Sequence, residues 1–169
     1  MTGVQTCALP ISLTGASLYN AFGDKRALFR RVLERYLDTG LRERLKRFEA
    51  SLPPRQAIAA FFNELVELSL DDRQRRGCLL VNSALEVAPH DAEFKRTIAA
   101  ALRDAEAFFR RCVSAGQADG SIAGDQSAED LARMLLAVLL GLRVLARSRP
   151  ERALLTGLVK PALALLERR

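Results

Sequence analysis

At 169 residues, 49% apolar and 27% charged, the chain has the balance of one globular domain with its own core, which excludes a disordered chain and leaves no room for two large domains. The net charge of +6 is unevenly placed, because residues 24–47 carry nine Lys or Arg against four Asp or Glu while the remainder is nearly balanced. The longest apolar run, Met134 to Leu142, is nine residues, far below the roughly 20 that span a bilayer, so no membrane partner is expected.

In chain order, Met1 to Ser12 (MTGVQTCALPIS) lacks the basic and long apolar regions of a secretory signal and resembles the conceptual translation of a sequencing adapter. Residues 1–12 are therefore read as a non-native leader outside the fold. Every periodicity beyond them is helical, and the fold class expected is all-α. Gly23 ends a short helix, and Asp24 can cap the next, whose stripe is Phe29, Val32, Leu33, Tyr36, Leu37, Leu41, Leu45 and Phe48. The basic residues of this stretch suit phosphate attraction, or equally a solvated face laced with pairs from Glu34 and Asp38 to neighbouring arginines.

Ser51, Pro53 and Pro54 stop that helix, and Pro54 is placed to open another with Ile58, Phe61, Phe62, Leu65, Val66 and Leu70 on its stripe. After the polar run DDRQRRG comes a short helix from Cys78, apolar nearly all round, which points to a central position. Asp91 can cap a further helix with Phe94, Ile98, Leu102, Ala105, Phe109, Cys112 and Val113 inward, and residues 115–126 read as a loop. Ser127 and Asp130 form a capping-box pattern. From Leu131 to Leu145 and Leu154 to Leu166 the apolar residues cover more than one face, with Pro161 expected to kink the second helix. Such a surplus predicts a homodimer through Leu135, Leu139, Leu142, Leu155, Leu158 and Leu165, packed as a four-helix bundle.

Cys7, Cys78 and Cys112 form no CxxC pair, so neither a metal nor a disulfide framework is expected and a reduced, cytosolic protein is the simplest reading. His90 has no ligand-spaced partners, and the Walker, GxGxxG, HExxH and GxSxG patterns are lacking; no enzyme and no cofactor are expected. Cys78, Asn82 and Glu86 share one helical face, with Ser83 beside them. Left unpaired and buried they would cost on the order of 1–3 kcal/mol each, so either arginines satisfy them or they line a cavity.

Gly15, Ser17, Leu18, Tyr19, Phe22, Gly23, Lys25 and Leu28 follow, with a shortened first gap, a Gly-x-Ser-x-x-x-Leu-Tyr-x-x-Phe-x-x-Lys pattern, and the segment Leu13 to Leu37 resembles the recognition helix and following helix of the TetR (tetracycline-repressor-like) transcriptional regulators. The resemblance implies a DNA-binding remnant over 13–37, lacking the two helices the family places before it, and an effector-binding and dimerisation domain over 38–169. In a helix-turn-helix the second helix offers its first residues to base edges, here Thr14, Gly15, Ala16 and Ser17. The family likeness adds Tyr19 and Lys25 as backbone contacts, Asn20 on the reading face, and Leu18 and Phe22 as core. It also implies a small-molecule effector among the central helices, with Cys78, Asn82, Ser83 and Glu86 lining the pocket and Phe61, Phe62 and Phe109 as candidates for its wall. A helical ligand-binding or interaction module with no DNA role is the alternative from another class.

Overall fold

The computed structural model describes residues 15–167, apart from the side chains of Ala16, Leu18 and Tyr19; the leader 1–12 and Thr14 lie outside the described residues. Regular structure among them is helical throughout: α1 (Gly15–Phe22), α2 (Lys25–Tyr36), α3 (Glu43–Ser51), α4 (Pro54–Asp71), α5 (Leu79–Glu86), α6 (Ala92–Ala118), α7 (Ala128–Ser148) and α8 (Arg152–Ala164). Gly23 leaves α1 with φ +86°, a left-handed conformation that suits glycine. The Asp24 carboxylate then accepts from the Ala27 amide at 2.7 Å and opens α2.

α2 and α3 form one continuous rod, joined by a π-helical segment, Leu37–Arg42. The sequence pattern explains why. Leu33, Leu37, Leu41 and Leu45 are all buried and all four residues apart. On a plain α-helix the span from Leu33 to Leu45 would carry the stripe about 120° off its face, whereas absorbing one residue into a π turn cuts the drift to about 20°. Val32, expected on the same stripe, is instead 47% exposed, because the π turn keeps the burial on the leucine line.

The core lies between α4, α6 and α7, with α6 and α7 packed along their length and α8 closing against α4 and α7. Its centre is a wholly buried quartet, Phe61 and Phe62 of α4 with Phe108 and Phe109 of α6, ring centroids 5.4 to 5.7 Å apart. Phe62 and Phe109 stack nearly parallel, and most other pairs in the quartet are tilted or edge-on, the arrangements that aromatic quadrupoles favour.

Several expectations are corrected here. α5 meets α2, α6 and α7, as its apolar circumference suggests, but the cover stops short of its last turn: Leu80, Val81 and Ser83 are buried, whereas Leu85 is 70% exposed and Glu86 is exposed. α6 runs on to Ala118, and Ile122 of the following loop is buried over Gly116, where a Cβ would stand 2.6 Å from its side chain. The apolar surplus of α7 and α8 is largely consumed by the protomer's own core: Leu135, Leu142 and Leu155 are wholly buried and Leu139 nearly so, which leaves Leu158 partly covered and Leu165 exposed.

Candidate functional site

α1 presents Gly15, Ser17 and Asn20 at the surface, with Lys25 exposed one turn beyond on α2. The Arg31 guanidinium lies 5.4 Å from the centroid of the half-buried Phe22 ring and ties α1 to α2. Ala16 and Tyr19 belong to α1 by their backbone, and their side chains, like Thr14, lie outside the described residues.

Much of the basic charge expected to face phosphates is engaged within the protein. Arg42 pairs with Asp38 at 2.7 Å and Asp104 at 2.8 Å, Arg44 with Glu64 at 2.6 Å, and Arg47 with the same Glu64. Of the pairings anticipated from Glu34 and Asp38, the one formed is Asp38 with Arg42. Among the described residues no carboxylate lies within ion-pair distance of Lys25, Arg31, Arg35 or Lys46, which leaves Lys25 and Arg31 beside α1 for a polyanion, with Arg35 and Lys46 further along the rod.

One side-chain cluster fastens α2 to the body. Arg26 donates to both Asp91 oxygens, at 2.8 and 3.1 Å, and to Glu93 at 2.6 Å, while Arg30 reaches Glu93 at 3.3 Å. Asp91 is also the cap of α6, accepting from the Glu93 and Phe94 amides, and Phe94 packs edge-on to Phe29 of α2 at 5.1 Å. The Arg26 hydrogen bonds, helped by those two amides, hold the Asp91 carboxyl down at about 2. The cap that starts α6 is thus also the anchor of α2.

Below this anchor, α2, the π segment, α4, α5 and α7 enclose an open cavity of about 680 Å³. Its walls are apolar over most of their area, with Val32, Leu41, Phe61, Leu65, Leu68, Leu80 and Leu139 among them. Four charged side chains, Arg44, Asp72, Arg76 and Arg143, reach it, together with Tyr36, Cys78 and Asn82. The loop after α4 is closed by Asp72, whose carboxylate accepts from the Gly77 amide at 3.1 Å; Gly77 needs its φ of +74°, and a Cβ there would meet Arg147 at 3.0 Å. The Tyr36 hydroxyl donates to the Cys78 thiol at 3.5 Å, and burial with that sulfur beside it pushes the phenol up to about 12. Among the described residues no group of three or more His, Cys, Asp and Glu could hold a metal ion, and no helix is long and apolar enough to cross a membrane.

The sequence candidates divide here. Phe61, Cys78 and Asn82 line the cavity. Asn82 also has arginine support, its carbonyl oxygen accepting from Arg147 at 2.8 Å while its amide donates to the Arg76 carbonyl at 3.2 Å. Phe62 and Phe109 are dry core behind Phe61, and Ser83 is buried with its hydroxyl unpartnered. Glu86 points into solvent at the outer end of α5, away from the cavity, so it has no desolvation to compensate. Leu139 belongs to the cavity wall rather than to an outer face. Sequence reasoning missed Tyr36, Asp72 and Arg143. For Arg143 a signal existed: it stands four residues after Leu139 on the buried stripe of α7, a charge on the face that turns inward.

Comparison with known proteins agrees with this architecture. The model of the tetracyclin repressor-like C-terminal domain matches residues 54–157. The HTH-type transcriptional regulator YezE of Bacillus subtilis (strain 168) is 28% identical over 98% of this chain and 86% of its own. The HTH-type transcriptional repressor DhaR of Mycobacterium sp. (strain GP1) is 28% identical over 80% of this chain and 67% of its own. Among solved structures, a cysteine-substituted form of the TetR family transcriptional regulator CifR, complexed with 26-bp double-strand operator DNA, is 34% identical and covers 90% of this chain and 80% of its own at a TM-score of 0.77.

Proposed function

The chain belongs to the TetR family of helix-turn-helix transcriptional regulators, and from that premise we propose that it is a ligand-responsive repressor subunit working in the cytoplasm as a homodimer on operator DNA. The observation that carries the reading is continuity. One rod, α2 through the π segment to α3, presents Lys25 beside the exposed face of α1 at one end and contributes Tyr36, Gly40 and Leu41 to the cavity further along. An effector occupying the cavity contacts the same element that positions α1, and differential affinity for two settings of that rod is what a ligand needs to shift them.

On DNA, Gly15, Ser17 and Asn20 face base edges, while Lys25 grips the phosphates. Two copies associate through the outer faces of α7 and α8, where Val144 and Leu165 are about half exposed, rather than through the leucines already spent on the core. The test is an anisotropy titration against the promoter of the chain's own gene. Lys25→Ala should weaken binding about equally on all sequences and reduce the salt dependence by about one counterion, whereas changes at Ser17 or Asn20 should alter base preference. Binding that Ser17 and Asn20 substitutions leave untouched in both strength and preference would remove α1 from the reading role.

A further inference from the structure

The charges of the cavity do not cancel. Arg44 is held at 2.6 Å by Glu64, a carboxylate it shares with Arg47, and Arg76 stands 3.6 Å from Asp72, so each of these cations has a carboxylate in reach. Arg143 has none within 4.0 Å among the described residues; its guanidinium donates only to neutral oxygens, the buried Ser69 hydroxyl at 2.9 Å and, at a long 3.4 Å, the Gly77 carbonyl. A guanidinium carries five N–H donors in a planar fork, and a cation half-withdrawn from water beside leucine walls is costly until an anion meets it. Near it, the Tyr36 hydroxyl, protonated at neutral pH as a phenol ordinarily is, has only a thiol, a weak acceptor, to donate to. Asp72 leaves one buried oxygen without a hydrogen bond, but its charge already faces Arg76.

Resting on the reading of this cavity as the effector site, we propose that it takes an amphipathic monocarboxylate, the headgroup on Arg143 and the Tyr36 hydroxyl and the apolar body along Leu65, Leu68, Leu80 and Leu139. Arg143 is the one lining cation with no carboxylate in ion-pair reach among the described residues, and a single guanidinium matches a single negative charge, which favours a monoanion over a phosphate dianion. The fork geometry favours a carboxylate, which can accept from two N–H groups at once. A volume of about 680 Å³ falls within the range of sites that enclose small organic ligands.

The experiment uses the full chain and the neutral fluorophore N-phenyl-1-naphthylamine as cavity reporter, displaced by three ligands of equal tail length: decanoate, 1-decanol and decylamine. Decanoate should displace it at least tenfold more effectively than decanol, and decylamine least of all. Arg143→Met should bring decanoate down to the level of decanol while leaving decanol unchanged, and Arg143→Lys should keep part of the preference. Because Arg143 also supports Ser69 and Gly77, decanol affinity and the melting temperature report whether a variant still folds; the headgroup ratio of the unmodified chain decides the matter even where a variant does not. Equal displacement by decanoate and decanol, a preference that survives Arg143→Met, or a preference for decylamine read by Asp72 would each overturn the carboxylate assignment and leave the cavity as effector site intact. No uptake of the fluorophore, with no ligand raising the melting temperature, would overturn both.

Discussion

Phe61 and Phe109 are both wholly buried members of one aromatic quartet, yet truncating them should not cost the same. Phe109 is wholly buried against Phe61, Phe62 and Phe108 and does not line the cavity beside α5, so Phe109→Ala opens a dry void of roughly 100 Å³, which at about 24 cal/mol per Å³ costs on the order of 2.4 kcal/mol before the lost transfer energy is added. The sum belongs near the top of the range of about 3–5 kcal/mol for such truncations. Phe61 touches the same rings but has its other side on the open cavity, so the space freed by Phe61→Ala joins a volume already open to solvent. Its void term shrinks, and the loss falls towards about 3 kcal/mol. Urea unfolding followed by circular dichroism, at one fixed protomer concentration because association adds to apparent stability, gives both values. Reporter binding supplies the second readout: Phe61→Ala should admit a bulkier apolar ligand, and Phe109→Ala should not. Equal destabilisation together with unchanged ligand size selectivity would refute the placement of Phe61 in the wall.

Acid should loosen α2 from the body: because Arg26 holds Asp91 at about 2 against an ordinary 3.8, its stabilisation is complete above the ordinary value and is lost as pH falls towards about 2, with Glu93, also lowered by Arg26, acting in the same direction. Melting temperature recorded from about pH 5 to pH 2 should therefore fall less steeply in Arg26→Gln, and parallel curves would discard the linkage. Ser83→Ala should be neutral or stabilising by about 1 kcal/mol, since it deletes a buried hydroxyl with no partner; a loss of similar size in a urea titration would mean that the hydroxyl is bonded. Gly116→Ala sets a helix-propensity gain of about 1 kcal/mol against an overpacking cost of about 1–3 kcal/mol on Ile122, which is pinned by the Gly116 carbonyl, so a net loss is expected. Val144→Glu and Leu165→Glu should yield monomers by light scattering, whereas dimers persisting in both would move the interface away from these faces.

Local signals were the legible ones. Asp24, Asp91 and Ser127 cap the helices their positions suggested, because a cap depends on two or three neighbouring residues and on little else. The all-α class and the stripes of α4 and α6 follow from periodicity in the same way. What a pattern cannot reveal is which neighbour does the covering. The leucines of α7 and α8 read as surplus because the sequence does not show that α4 and α6 absorb them, and Glu86 reads as a pocket residue because helical spacing aligns it with Cys78 and Asn82 while only tertiary packing sets how far along α5 the cover extends. Arg143 breaks an apolar run, yet its phase on α7 marks it as inward-facing.

The extra residue in the Leu37–Arg42 turn also governs how this chain tolerates changes in length. Losing one residue there lets a π turn relax to an α turn, so the residues on either side keep their angular phase, and α1 stays where it was relative to the body. Losing one residue anywhere else in the rod rotates everything on one side by about 100° and shortens it by about 1.5 Å, which would swing Arg26 off Asp91 and turn the exposed face of α1 away from its setting. Among related chains, single-residue length differences along this rod should therefore collect at Leu37–Arg42, beside the cavity, and be rare on either side of it.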